Sequence, residues 1–220
     1  MLSESVEDYL KAIYTLGQHG NPVSTSALAE RLNVAPASIT QMVKKLDQME
    51  PSLIRYKKHH GATLTNHGER VAVEIIRHHR LIELFLQQSL GMGWDEVDAE
   101  AEKLEHVVSE ALMDRIADVL GDPKFDPHGA PIPPKGGRMP VVEGLCPLTA
   151  MNTDESGTVR RVSDSDPEVL RYLGELGVVP GTSLKVIERA PFDGPIHIQL
   201  ETTTHALGPN VAARVLMEKD

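Results

Sequence analysis

The sequence predicts a mainly α-helical chain that ends in a small β domain. Three observations carry this expectation. Apolar residues recur at three- and four-residue intervals through residues 4–50 and again from 68 to 120. Residues 121–147, "GDPKFDPHGAPIPPKGGRMPVVEGLCP", hold proline and glycine too often for regular structure and read as a linker. Beyond them lie short strand-like runs separated by turns, of a length suited to a small SH3-like β-barrel.

The elements follow in order. Residues 4–19 read as a helix with Val6, Leu10, Ile13, Tyr14 and Leu16 apolar, and "GNPVS" ends it. "STSALAERLNV" is a short helix with a Ser/Thr start and Leu28, Ala29 and Leu32 turned inward. "APASITQMVKKLDQME" follows almost at once, with Ile39, Val43 and Leu46 on one face. "LIRYKKHHGATLTNHG" reads as two strands around a basic, glycine-containing turn. Helix, helix, turn, helix and hairpin is the order of a winged helix-turn-helix. A long helix is expected from Gly68 to Leu90 and an acidic one from about Trp94 to Leu120. After the linker, "SGTVRRVSD", "SLKVIERA", "IHIQLET" and "ARVLME" read as strands, and "DPEVLRYLGELGV" as one short helix. The expected division is 1–70 DNA-binding, 71–140 helical metal-binding and dimerisation with the linker, and 141–220 SH3-like.

Composition narrows the function. No run of about 18 apolar residues suggests a membrane span. The start is acidic and amphipathic, unlike a signal peptide, and the single cysteine, Cys146, has no internal partner, so a cytoplasmic location is expected. Net charge is −10, but residues 31–60 hold six Lys/Arg against two acids, while residues 81–120 hold ten acids against two basic residues. One segment is suited to an anion and another to a cation.

In the second helix of a helix-turn-helix, the N-terminal residues meet base edges in the major groove. Gln41 suits a base edge and Ala37 a thymine methyl. Ser38, Thr40, Lys44 and Lys45, with Lys57 and Lys58 of the wing, suit phosphate oxygens. The bland reading is an ordinary surface helix; the agreement of helix order with the basic island favours double-stranded DNA.

In "DAEAEKLEHVVSE", Asp98, Glu102, Glu105, His106 and Ser109 fall three or four apart, which on one helix places them on one side. They lie beside the apolar stripe of Leu104, Val107, Val108, Ala111 and Leu112. A solvated acidic face is the bland explanation and a divalent metal the sharp one. Upstream, "RHHRLIELFL" puts His79 and Glu83 four apart, and Asp8 sits between the apolar Val6 and Tyr9. A carboxylate-bridged metalloenzyme is a rival, but such proteins repeat the Glu-x-x-His motif and this chain has it once. No nucleophile motif or phosphate loop is present, so no enzyme activity is expected.

"HHRLIELFL" and "E-x-x-E-H-x-x-S", with "DPHGAPIP" and the β domain, make nearly the whole chain resemble the diphtheria toxin repressor family of metal-dependent transcriptional repressors, in its three-domain, manganese-responsive form. The resemblance implies a homodimer that binds a palindromic operator when Mn(II) or Fe(II) is present. It implies a primary site of Asp8, Glu102, Glu105 and His106. Asp8 and Glu102 stand where iron-type members carry methionine and cysteine, and hard oxygens suit Mn(II); an iron-dependent repressor is the alternative. Lys11 stands where shorter manganese regulators carry a further glutamate, which disfavours their two-metal cluster. An ancillary site would join His79, Glu83 and Asp98 to Glu168 and Asp166 of the β domain. Without metal, the carboxylates are expected to repel one another and free the first helix. Phe85, Leu86, Leu90, Trp94, Leu112, Met113 and Ile116 are expected to need a two-fold interface for their burial.

Overall fold

The computed structural model describes residues 2–17 and 21–220. The chain forms two compact units: Met1–His79 with Lys103–Ser109 and Pro133–Met139, and Arg80–Glu102 with Glu110–Ile132 and Pro140–Asp220.

The first unit begins with α1 (Glu4–Leu16), α2 (Thr25–Leu32) and α3 (Pro36–Asp47). The expected extension of α1 to residue 19 falls partly outside the described residues. Ser24 caps α2 by accepting the Ala27 N–H at 3.1 Å, and Asn33 ends it in the left-handed region at φ 51°. Pro36 opens α3 at its first turn, where its missing N–H costs nothing. Leu10, Ile13, Leu28, Ile39, Val43 and Leu46 interlock in one core, fully or almost fully withdrawn from water. Each such side chain contributes roughly 1.5–3 kcal/mol of burial.

β1 (Ile54–Lys57) and β2 (Gly61–Leu64) form the antiparallel wing, paired from Ile54 with Leu64 to Lys57 with Gly61. Two fasteners hold it. Asp47, at the end of α3, accepts the Tyr56 N–H at 3.0 Å. Val23, just before α2, exchanges two backbone hydrogen bonds with Ala62, at 2.8 and 2.9 Å. Gly61 has φ 102°, and a Cβ there would stand 2.5 Å from the Val23 carbonyl oxygen, so only glycine fits.

α4 (Asn66–Leu90) is one continuous helix. The acidic segment is not. α5 (Val97–Leu104) and α6 (Glu110–Leu120) are separated by a turn over residues 105–109, where one helix to Leu120 is expected. The turn drives Glu105 inward and leaves Val107 75% exposed, the reverse of the apolar-inward pattern. Glu105 is gripped by residues distant in sequence, as described below, and Ser109 is a favoured residue type for starting α6.

In the second unit, β3 (Leu145–Pro147), β4 (Ser156–Val162), β5 (Ser183–Arg189), β6 (Ile196–Leu200), β7 (Thr203–Leu207) and β8 (Val215–Lys219) form an antiparallel sheet of SH3-like type in the order β3-β8-β4-β5-β6-β7. α7 (Pro167–Leu176) and α8 (Pro209–Ala212) complete it. Leu170 and Leu173 of α7 pack against Val159, Val186, Ile198 and Met217 of the sheet. β3 and β7 add two strands to the four expected.

The supposed linker is another correction. Asp126 to Ile132 are buried. The His128 carbonyl accepts the Val162 N–H of β4 at 2.9 Å. A Cβ on Gly129 would meet the Arg160 carbonyl oxygen at 1.9 Å. This stretch is a buried strap held against β4.

Candidate metal centres and DNA-reading surface

The first unit brings Asp8, Glu105 and His106 together, each offering a ligand atom within 4.8 Å of the others. α1 presents Asp8, and the turn after α5 presents the other two. Asp8 Oδ1 lies 3.1 Å from His106 Nε2, and Glu105 Oε1 lies 3.6 Å from the same nitrogen. On the far side of the ring, His106 Nδ1 donates to Glu7 Oε2 at 2.7 Å. That bond fixes the ring and directs Nε2 towards the two carboxylates, as an outer carboxylate does for many metal-ligating histidines. Burial alone would lower the His106 pKa; the bond to Glu7 and the charges of Glu105, Asp8 and Glu7 raise it instead.

Glu105 has no exposed side-chain surface. Lys11 Nζ donates to both of its oxygens at 2.9 Å, and His79 Nδ1 lies 2.5 Å from Oε2. Burial would raise the Glu105 pKa, but the His79 hydrogen bond and the Lys11 charge overcome it and hold the carboxyl below its usual range. The carboxylates do not face one another bare: Lys11 supplies a counter-charge to Glu105, and the His106 ring stands against Glu7, Asp8 and Glu105. Glu102, expected as the fourth member, lies on the exposed side of the last turn of α5, and Asp98 is half-buried on the same helix.

The second unit contains a further group. Glu83 of α4, His128 of the strap and Asp164, after β4, bring ligand atoms within 4.8 Å of one another. Glu83 and His128 are wholly buried. His128 Nε2 donates to the Trp94 carbonyl at 2.7 Å, and the two rings stack at 5.7 Å. Nδ1 therefore faces Glu83 Oε1, at 3.5 Å, without the geometry of a hydrogen bond. Asp126 Oδ1 accepts the N–H groups of His128 and Ala130 at 2.9 Å each, while Oδ2 stands 3.5 Å from Arg80 Nε. Burial, helped by the Glu83 charge, pushes the Asp126 carboxyl up to about 6. Burial alone would lower His128, but Glu83 drives it up to about 9. The buried Glu83 and half-buried Asp164 carboxylates, beside an imidazole nitrogen that has no hydrogen bond, form a donor set that fits a divalent cation.

Asp166 and Glu168, expected in an ancillary site with His79, Glu83 and Asp98, are not part of the Glu83–His128–Asp164 group. Asp166 caps α7 by accepting the Glu168 and Val169 N–H groups, and Glu168 is exposed. Asp164, two residues earlier, belongs to the group instead. Sequence reasoning missed Asp126, His128 and Asp164. The signal was "DPHG": an aspartate two residues before a histidine closes a local turn by accepting backbone N–H groups, and such a turn holds its histidine firmly.

Of the residues expected to meet DNA, Ala37, Ser38, Gln41, Lys44 and Lys45 of α3 are exposed, as are Lys57 and Lys58 of the wing. Thr40 is half-buried, and its hydroxyl donates to the Pro36 carbonyl at 3.0 Å, which leaves only its acceptor side for a ligand. Leu90 (62%), Leu112 (50%) and Val119 (71%) are the exposed large apolar residues of α4 and α6, whereas Leu86, Met113 and Ile116 are buried within the protomer. The expectation that those three need a partner is corrected. Among the described residues, no helix is long and apolar enough to cross a membrane.

A winged helix with clustered carboxylate and histidine side chains points to the class of metal-dependent DNA-binding repressors. The comparisons agree with that class. Residues 1–62 match the iron dependent repressor N-terminal DNA binding domain, 65–134 the iron dependent repressor metal binding and dimerisation domain, and 146–219 the FeoA domain. The iron-dependent repressor IdeR of Mycobacterium leprae is 30% identical over 99% of this chain and 98% of its own length. The HTH-type transcriptional regulator MntR of Lysinibacillus sphaericus is 36% identical over 54% of this chain and 84% of its own. A solved structure, a manganese-dependent transcriptional repressor in complex with manganese, is 39% identical, with a TM-score of 0.89 over 98% of this chain and all of that one. The chain belongs to the diphtheria toxin repressor family of metal-dependent transcriptional repressors, whose members bind DNA and dimerise.

Proposed function

We propose that this chain is a cytoplasmic, manganese-responsive repressor of metal-uptake genes that binds a palindromic operator as a homodimer. One observation carries the reading: Asp8, Glu105 and His106 converge within 4.8 Å, with no sulfur donor in that group or in the Glu83–His128–Asp164 group. Hard oxygen and imidazole donors suit Mn(II) over softer ions. The likeness to a repressor solved with manganese supports the same choice. Residues 1–70 are the DNA-binding part, 71–140 the metal-binding and dimerisation part, and 141–220 the SH3-like part. Fe(II) is the second reading, favoured by the name of the mycobacterial relative.

Asp8, Glu105 and His106 would hold the first cation, with Glu102 as the fourth ligand by family resemblance. Glu83, His128 and Asp164, with Asp126 beside them, would hold a second. Bound metal supplies charge that offsets clustered carboxylates. Asp8 then adds a second tie, beside that of Lys11, between α1 and the turn of Glu105 and His106. Through Leu10 and Ile13, α1 shares its core with Leu28 of α2 and Ile39 of α3. Fixing α1 thus fixes the helix that meets the operator. Half-sites on DNA demand a set spacing, so steadying the reading helix favours binding.

DNA-binding anisotropy with a panel of Mn(II), Fe(II), Co(II) and Zn(II) tests this. Glu105→Ala abolishes metal-dependent binding; retention of manganese-dependent binding would sink the assignment. Asp8→Met with Glu102→Cys shifts activation from Mn(II) towards Fe(II) or Co(II).

A further inference from the structure

We propose that Lys11 is a tethered cation that competes with the metal for Glu105 and so sets how much metal the first site needs. The inference rests on the reading of Asp8, Glu105 and His106 as that site.

Lys11 lies three residues after Asp8 on α1, on the same side of the helix. Its ammonium bonds both Glu105 oxygens at 2.9 Å and lies 3.1 Å from His79 Nδ1. Its side chain is only 14% exposed, and that of Glu105 is fully buried. Little water screens the pair. A buried carboxylate needs a counter-charge, and Lys11 provides one from within the chain. The unit is held together across α1 and the 105–106 turn by this lysine before any ion arrives.

The same bonds oppose a divalent cation. Glu105 Oε1 lies 3.6 Å from His106 Nε2, and it is one of the two oxygens that Lys11 grips. A cation that takes Oε1 must draw it away from the ammonium and then sit close to a second positive charge. Metal response at this site is therefore an exchange of cations. Lys11 stabilises the metal-free protein and weakens the metal-bound one, so the response threshold rises.

The experiment is Mn(II) titration calorimetry on the full-length wild type, Lys11→Gln, Lys11→Met, Lys11→Arg and Glu105→Gln, with thermal melting of each metal-free protein. Glu105→Gln identifies the first site as the binding event it removes. Lys11→Gln tightens that event by at least about tenfold, given the strength of like-charge repulsion in a poorly screened site. It also lowers the metal-free melting temperature, and saturating Mn(II) closes the gap. Lys11→Met, which keeps the aliphatic stem, does the same and stands in if Lys11→Gln does not fold without metal. Lys11→Arg, which keeps the charge, stays near wild type. Unchanged or weaker Mn(II) binding in Lys11→Gln or Lys11→Met, with the event still lost in Glu105→Gln, overturns the role of Lys11 alone. If Glu105→Gln loses no binding event, both the site and the proposal fall.

Discussion

Replacing Asp126 separates what its hydrogen bonds do from what its charge does. Oδ1 accepts two backbone N–H groups, from His128 and Ala130, at 2.9 Å each, in a residue 5% exposed. Asp126→Ala leaves both donors buried and unsatisfied, at about 1–3 kcal/mol apiece. Arg80 loses a partner 3.5 Å away but keeps its bond to the Pro131 carbonyl, so that loss adds little. The sum is about 2–6 kcal/mol, a large share of a typical domain's stability. Asp126→Asn keeps the Oδ1 acceptor and sheds a charge that burial already disfavours, so it costs about 1 kcal/mol. Urea unfolding of the metal-free protein, followed by far-UV circular dichroism, measures both. Equal costs for the two variants, or an alanine cost under about 1 kcal/mol, would show that the strap is not held by this acceptor.

Three further outcomes are expected. Gln41→Ala relaxes base preference at one operator position by about 1–3 kcal/mol, whereas Lys58→Ala weakens all sequences alike and lowers the salt slope; unchanged operator preference in Gln41→Ala refutes the register assigned to α3. Trp94, the one tryptophan, stacks on His128, so its fluorescence changes on Mn(II) binding in wild type and Glu105→Ala but not in His128→Ala; a change that survives His128→Ala removes His128 from the ligand set. Val119→Glu, on the exposed face of α6, yields monomers in sedimentation velocity where wild type sediments as a dimer, and a dimeric variant would move the interface elsewhere.

How legible the chain is depends on the range of the forces involved. Leu10 and Ile13, or Ile39, Val43 and Leu46, announce their helices because one buried face needs only the 3.6-residue repeat. Asp8, Glu105 and His106 are readable as candidate ligands from residue type and family pattern. The break at 105–109 is not, because no proline or glycine marks it. Glu105 is drawn inward by Lys11, 94 residues away, and no local window contains both. His128 was hidden for a related reason. Proline and glycine around it imitate an exposed linker, and only the docking of its carbonyl on Val162 reveals a buried strap. β7 escaped notice because its exposed Thr203 and Thr204 and partly exposed His205 break the apolar alternation that marks a strand.

The two fasteners of the wing have a consequence for the operator. Asp47 binds the wing to the end of the reading helix, and Val23, pressed against Gly61, binds it to the start of the helix before. α3 and the wing therefore strike DNA as one stamp, with the distance between their imprints cast into the protein. On the proposed contacts of α3 with bases and of Lys57 and Lys58 with phosphates, one inserted base pair between them would move the second imprint off its mark. A proposed half-site then tolerates single base substitutions more readily than a change in its length.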